Sequence, residues 1–165
     1  MTTNSDRIRE IELQRKLALL LRETRTAALG TLRNGAPTVS MVTYAFAEDF
    51  SAIYLHLSHL AQHTQDMEKD KHVSLLVAEP DDGREDPQTL ARVSIRGYAE
   101  LIPLGAPGYN LAKNLYQARF PQVMSLFEFG DFELWRITPK GGRYVAGFAK
   151  AFNLTADALK DIASL

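Results

Sequence analysis

Short apolar stretches cut by tight-turn residues constrain this chain most. Residues 26–32, 38–46 and 52–57 each read as a strand. The first two are joined through Arg33-Asn34-Gly35-Ala36-Pro37, where Asn-Gly accepts positive φ at little cost. Glu48-Asp49-Phe50-Ser51 turns the chain again before the third. The middle run is rich in β-branched and aromatic side chains, as strands are. Three strands joined this way form an antiparallel meander, which suits a barrel better than alternating βαβ units.

The rest of the chain continues the pattern with helical interruptions. Residues 6–21 carry apolar side chains at helical spacing, with Ser5 or Asp6 placed to cap the start. A short helix is expected from about Leu60 to Asp70, a fourth strand over 73–78 and an exposed loop over 79–87. A long fifth strand covers 90–103 with Gly97 as a bulge. Residues 106–125 read as a helix broken at Pro121. A sixth strand covers 132–138, with a short seventh over 142–147. Thr155 is placed to cap a last helix over 156–163. The expected fold is mainly β: one domain over 1–165, a six-stranded antiparallel split barrel with peripheral helices. Its N-terminal helix lies within 1–23 and its helical tail over 154–165.

Composition narrows the function classes. With 165 residues, 45% of them apolar, there is enough for one core. The formal net charge is −1, which gives no broad pull toward nucleic acid or acidic lipid. Without cysteine, disulfide scaffolds, thiolate zinc sites and cysteine nucleophiles are excluded. No apolar run approaches the ~20 residues of a membrane span. The start of the chain has no apolar signal-peptide core, so a cytoplasmic protein is expected.

Three segments carry chemistry. Residues 54–64 join a strand to a helix start and hold His56, His59 and His63 beside Ser58 and Thr64. Hydroxyls, imidazoles and helix-start amides together suit a phosphate group; the plainer reading makes Ser58 a cap and the histidines surface residues. His59 and His63, four apart, would need a third ligand to hold a metal, and none is fixed by spacing. In Thr38-Val39-Ser40-Met41-Val42-Thr43, Ser40 and Val42 share one face, Met41 and Thr43 the other. A flat ring can lie along such a strand. Arg92, Ser94 and Arg96 share a face, and paired arginines suit an anionic ligand.

Together these segments resemble the pyridoxamine 5′-phosphate oxidase-like FMN-binding split-barrel superfamily, most of all its haem-utilisation (HugZ-like) branch. Four stretches carry the resemblance in the family's order. The first is Ala28-Leu29-Gly30-Thr31-Leu32 with Gly35 to Ser40, the second Leu57 to Thr64 with Asp70 to Val77. The third is Arg92 to Gly97; the last is Phe132 to Pro139 followed by Tyr144 to Phe152. The resemblance implies a homodimer with two ligand sites at the subunit interface, and FMN as the ligand. Val39, Ser40, Met41 and Val42 would line the flavin, Leu57 and Ser58 would meet it, Gln62, His63 and Thr64 would hold its phosphate, and Arg92 would add a polar contact. The activity so implied is an FMN-dependent oxidoreductase acting on a small molecule. A haem-binding protein is the second reading and a cofactor-free binding barrel the third. Two departures stand out. Residues 143–148 lack the substrate-gripping histidine of the oxidases, and residues 153–165 lack the tail histidine that ligates iron in haem-handling relatives.

Overall fold

The computed structural model describes residues 4–147 and 150–165. The first three residues of the expected N-terminal helical segment, and Phe148 and Ala149 of the last family-like stretch, lie outside the described residues. The elements run α1 (Asn4–Glu23), β1 (Thr26–Arg33), β2 (Ala36–Thr43), β3 (Ala45–Phe46), β4 (Ile53–Ser58), α2 (Gln62–Lys69) and β5 (His72–Ala78). After them come β6 (Arg92–Ile102), α3 (Tyr109–Arg119), β7 (Phe132–Val145), β8 (Ala151–Leu154) and α4 (Ala156–Ala163). Short 3-10 turns occupy Pro87–Thr89 and Pro121–Glu128.

The strands form one antiparallel sheet in the order β2-β1-β5-β6-β7-β4-β3, with β8 added to β7. The two ends of that order, β2 and β3, are neighbours in sequence, separated only by Tyr44. A sheet whose ends are joined by one residue must curl, and the result is a split barrel. The expected strand over 38–46 is therefore two strands on different partners, β1 and β4. That division and the added β8 make eight strands where six are expected.

Local chemistry explains the details. Asn34 (φ 52°) and Gly35 (φ 81°) both adopt positive φ, which closes β1 onto β2 through a two-residue turn of the hairpin-favoured kind. The expected bulge at Gly97 is present. The β6–β7 register shifts between Arg96 and Gly97, leaving Lys140 unpaired between Pro139 and Gly141. A proline without an N–H is tolerated beside such a bulge. The expected sixth and seventh strands fuse into β7, because the pairing with β6 resumes past the bulge at Gly141 and Gly142. Thr155 caps α4 by accepting from the Ala158 N–H at 3.1 Å.

The core fills the curl. Leu29, Leu55, Leu75, Ile95, Trp135 and Ile137 are fully buried, and Leu17 and Leu21 of α1 close one end with Leu159 and Ile162 of α4. Each such aliphatic contributes roughly 1.5–3 kcal/mol by leaving water. A second cluster on the other side packs Ala112, Tyr116 and Phe120 on Tyr54, Ile102 and Leu134.

Gly142 tests the closeness of β6 and β7. A Cβ there would overlap the Ser94 carbonyl oxygen, which is ladder backbone with no freedom to move aside. Gly142→Ala is expected to cost about 1–3 kcal/mol and lower Tm by several degrees. Gly130→Ala, in open space, should leave Tm unchanged. Equal melting of the two variants in calorimetry would contradict this packing.

Candidate functional site: the open outer face of the sheet

Strand alternation sends every second residue of β1, β2, β5 and β6 away from the core, and the register aligns them in rows. One row runs Met41, Ala28, Leu76, Ser94, Arg143. The next runs Val39, Gly30, Ser74, Arg96, Gly141, and a third places His72 beside Tyr98. Val39 and Met41 are 72% and 73% exposed, and Leu76 is 42% exposed, an unusual concentration of uncovered apolar surface. Between them the small side chains of Ala28 and Ala78 leave a shallow trough of about 410 Å³. Beyond it on the same sheet face, on β6 and β7, stand two guanidinium groups. Arg143 is tied to Asn153 Oδ1 at 2.9 Å. Arg96 has no hydrogen bond or ion pair among the described residues and extends over the bare backbone of Gly141.

The ten residues singled out from sequence divide between this face and other places. Val39, Ser40 and Met41 line the trough, and Arg92 pairs in register with its Ala78. Val42 and Leu57 are buried in the core. Ser58 donates to Asp131 Oδ2 at 2.9 Å and accepts from the Leu60 N–H, so it fixes the turn before α2. The Gln62 amide donates to Asp66 Oδ1 at 3.1 Å. Nη1 of Arg92 donates to the carbonyls of Gln88 and Leu90, stapling the 3-10 turn. Thr64 is buried with its hydroxyl unpartnered, and His63 Nε2 is likewise buried and unpartnered. Burial pushes the His63 imidazole down, against the pull of Asp66, which favours its neutral form. His59 lies in the turn before α2, so it shares no helical face with His63. Of the three groups expected to hold a phosphate, Gln62 is tied to Asp66, while His63 Nε2 and the Thr64 hydroxyl are buried without a partner among the described residues.

Sequence reasoning missed the group that organises this corner. Asp66, 1% exposed, accepts from Thr31 Oγ1 (3.2 Å), Thr38 Oγ1 (3.1 Å), Arg33 Nε (3.2 Å) and Gln62 Nε2. Burial raises its carboxyl pKa, but the four hydrogen bonds outweigh burial and hold it below the ordinary value. The only signal in sequence was that Thr31 and Thr38 flank the hairpin on one face. His56 belongs to the histidine segment singled out above, but it is neither a surface residue nor open to a phosphate: it is buried and stacked on Phe127 at 3.7 Å between rings. Burial, aided by Lys113, pushes it down to about 4, so it is neutral at neutral pH. A larger cleft of about 820 Å³ lies elsewhere, between α1, the 79–91 loop and the end of β7.

Residues 13–146 match the family described as pyridoxamine 5′-phosphate oxidase. The chain belongs to that family. Within this family, its curated relatives are haem proteins. It is 38% identical over 119 residues to the chloroplastic haem oxygenase HOZ of Arabidopsis thaliana, covering 72% of this chain and 34% of that protein. The chain thus spans about a third of the length of that plant relative. It is 25% identical to the haem oxygenase HutZ of Vibrio cholerae, over 87% of this chain and 81% of that one. A haem-binding protein of Mycobacterium smegmatis superposes with a TM-score of 0.80 at 23% identity, covering 90% of this chain and 60% of the other. These relatives place the family member in the haem-utilisation branch and overturn the expectation of FMN and of a flavin-dependent oxidoreductase. Of the residues expected around FMN, Ser58, Gln62 and Arg92 hydrogen-bond within the fold. Among the described residues, no helix is long and apolar enough to cross a membrane.

Asp66 yields a pH test. Its folded pKa is depressed, so its stabilisation is complete above the unfolded value near 4 and is lost as pH falls through the lower folded value. Asp66→Asn should melt below the wild type at neutral pH, and the gap should close on acidification below about pH 4. A gap that stays constant from pH 6 to about pH 2.5 in melting curves would contradict the four-donor assignment.

Proposed function

We propose that this chain binds haem between two copies of itself and acts in haem breakdown of the haem-oxygenase type. The observation that carries the reading is the alignment of Val39, Met41 and Leu76 on the same open face as the unpaired Arg96. Haem is an apolar disc with two carboxylates on one edge. The trough has an apolar rim of Val39, Met41 and Leu76, and a flat ring can lie on it because Ala28, with Gly30 and Ser74 in register beyond it, raises no bulky side chain. Arg96, with Arg143 beside it, suits the carboxylates through charge-assisted hydrogen bonds. The names and activities of the relatives support the same ligand.

A second copy completes the site. One face of haem on this trough would stay in water, and Val39 and Met41 would remain uncovered. Pairing two such faces buries both, and a homodimer with interfacial sites follows. Haem supplies the iron that activates oxygen. The chain's own residues hold the ring, exclude water from its faces and neutralise its carboxylates. The small-molecule substrate in this reading is haem itself.

The test is a hemin titration followed by the Soret band, with light scattering for mass. The wild type should be dimeric and give a saturable band that decays under a reductant and oxygen. The double variant Val39→Glu, Met41→Glu places four carboxylates in the paired faces. It should be monomeric at micromolar concentration and bind hemin at least about tenfold more weakly. A wild type without saturable hemin binding removes the proposal.

A further inference from the structure

We infer that the larger cleft, of about 820 Å³, holds the open-chain tetrapyrrole dicarboxylate that haem breakdown yields, with the Tyr144 hydroxyl on a ring carbonyl and Lys16 and Arg25 on the carboxylates. The inference rests on the haem reading and adds a second site to it. The cleft and the trough meet, because Thr26 of β1 and Ala78 of β5 line both. These two residues stand one alternate position beyond the Ala28–Leu76 pair, on the same sheet face. A molecule leaving the trough over them enters the cleft directly.

The walls are in place before any ligand arrives. On one side α1 presents Lys16, Leu19, Leu20 and Glu23 at helical spacing. On the other, the 79–91 loop is tied at its ends. The Glu79 N–H donates to the Ala91 carbonyl at 2.9 Å, and the Ala91 N–H donates to Glu79 Oε2 at 2.9 Å. Arg84 braces the same loop, with two hydrogen bonds to Asp82 and Nη1 3.5 Å from Glu79 Oε2. The volume falls within the roughly 300–1,000 Å³ of pockets that enclose drug-sized ligands.

The cleft holds polar groups that the fold does not use. Tyr144, 3% exposed, forms its inner wall, and the Tyr144 hydroxyl has no hydrogen-bond partner among the described residues. An unpaired buried hydroxyl is costly unless a ligand meets it. Burial pushes its pKa up and the Glu79 carboxylate adds to this, so it keeps its proton and can donate. Lys16, Glu23 and Arg25 make no ion pair among the described residues, although the Arg25 guanidinium lies over the Phe120 ring at 5.2 Å. Leu19, 51% exposed, gives apolar surface between them.

This set suits an opened ring. An open-chain tetrapyrrole is flexible, lacks iron, ends in two ring carbonyls and keeps both carboxylates of haem. No histidine lines the cleft, and an iron-free ligand needs none. A ring carbonyl takes the Tyr144 proton, the carboxylates meet the two cations, and the pyrrole N–H groups suit the Glu23 carboxylate.

The probe is biliverdin, titrated into wild type, Tyr144→Phe and Leu19→Glu and followed by the circular dichroism induced in its visible band. Hemin is titrated in parallel by the Soret band. Tyr144→Phe removes an unpaired hydroxyl and Leu19 is half-exposed, so both variants should keep the wild-type Tm. The wild type should bind biliverdin saturably. Each cleft variant should weaken that binding about tenfold and leave hemin affinity unchanged. The trough variant Val39→Glu, Met41→Glu should do the reverse, losing hemin and keeping biliverdin. Hemin binding with no biliverdin binding overturns the inference and leaves the haem reading standing. Biliverdin binding that the cleft variants leave intact and the trough variant abolishes does the same, because the opened ring then occupies the trough. A wild type that binds neither overturns both.

Discussion

Tyr44 stands where the curled sheet meets itself, and much of the structure depends on its being held there. It is fully buried, and its hydroxyl donates to the Leu21 carbonyl at the end of α1. Burial pushes that hydroxyl up to about 12, against the lowering influence of Arg119, so it stays a neutral donor. The Arg119 guanidinium packs over the Tyr44 ring and donates to the carbonyls of Arg22 and Thr24. One aromatic residue and one arginine thus join the last turn of α1, the crossing between β2 and β3, and the end of α3. Without that tie, the pairing that sets the outer rows would lose its fixed edge.

Much of this was readable from residues. The Asn34-Gly35 turn, the Gly97 bulge and the Thr155 cap are local chemistry, and each acts where the sequence placed it. What was not readable is long-range. Nothing near Tyr44 marks it as a crossing point, because residues 38–46 have one uninterrupted strand composition. Residues 151–154 become β8 only because the neighbouring edge of β7 is free to accept them. Asp66 sits in a polar helix with no local sign that four donors from two other elements converge on it.

The candidate site shows the same division. Alternation along single strands separated Met41 from Ser40 and Val42 and grouped Arg92, Ser94 and Arg96 correctly. The convergence of separate segments depended on register, which a sequence does not print. Ser58, Gln62 and Arg92 have the chemistry of an anion grip, yet their partners lie within the fold. The residues that do stand open, Val39, Met41, Leu76 and Arg96, are dispersed across three strands that only pairing aligns.

Because β5 serves the core with one set of side chains and the open face with the other, its length is locked. Val73, Leu75 and Val77 point inward, while His72, Ser74 and Leu76 point outward. One inserted or deleted residue anywhere in this strand would exchange the two sets, driving an imidazole into the oil and leucine into the water. Change at this surface can therefore proceed only by replacement in place, one alternate position at a time. A lineage in which the strand gains or loses a single residue would be expected to lose the barrel along with its open face.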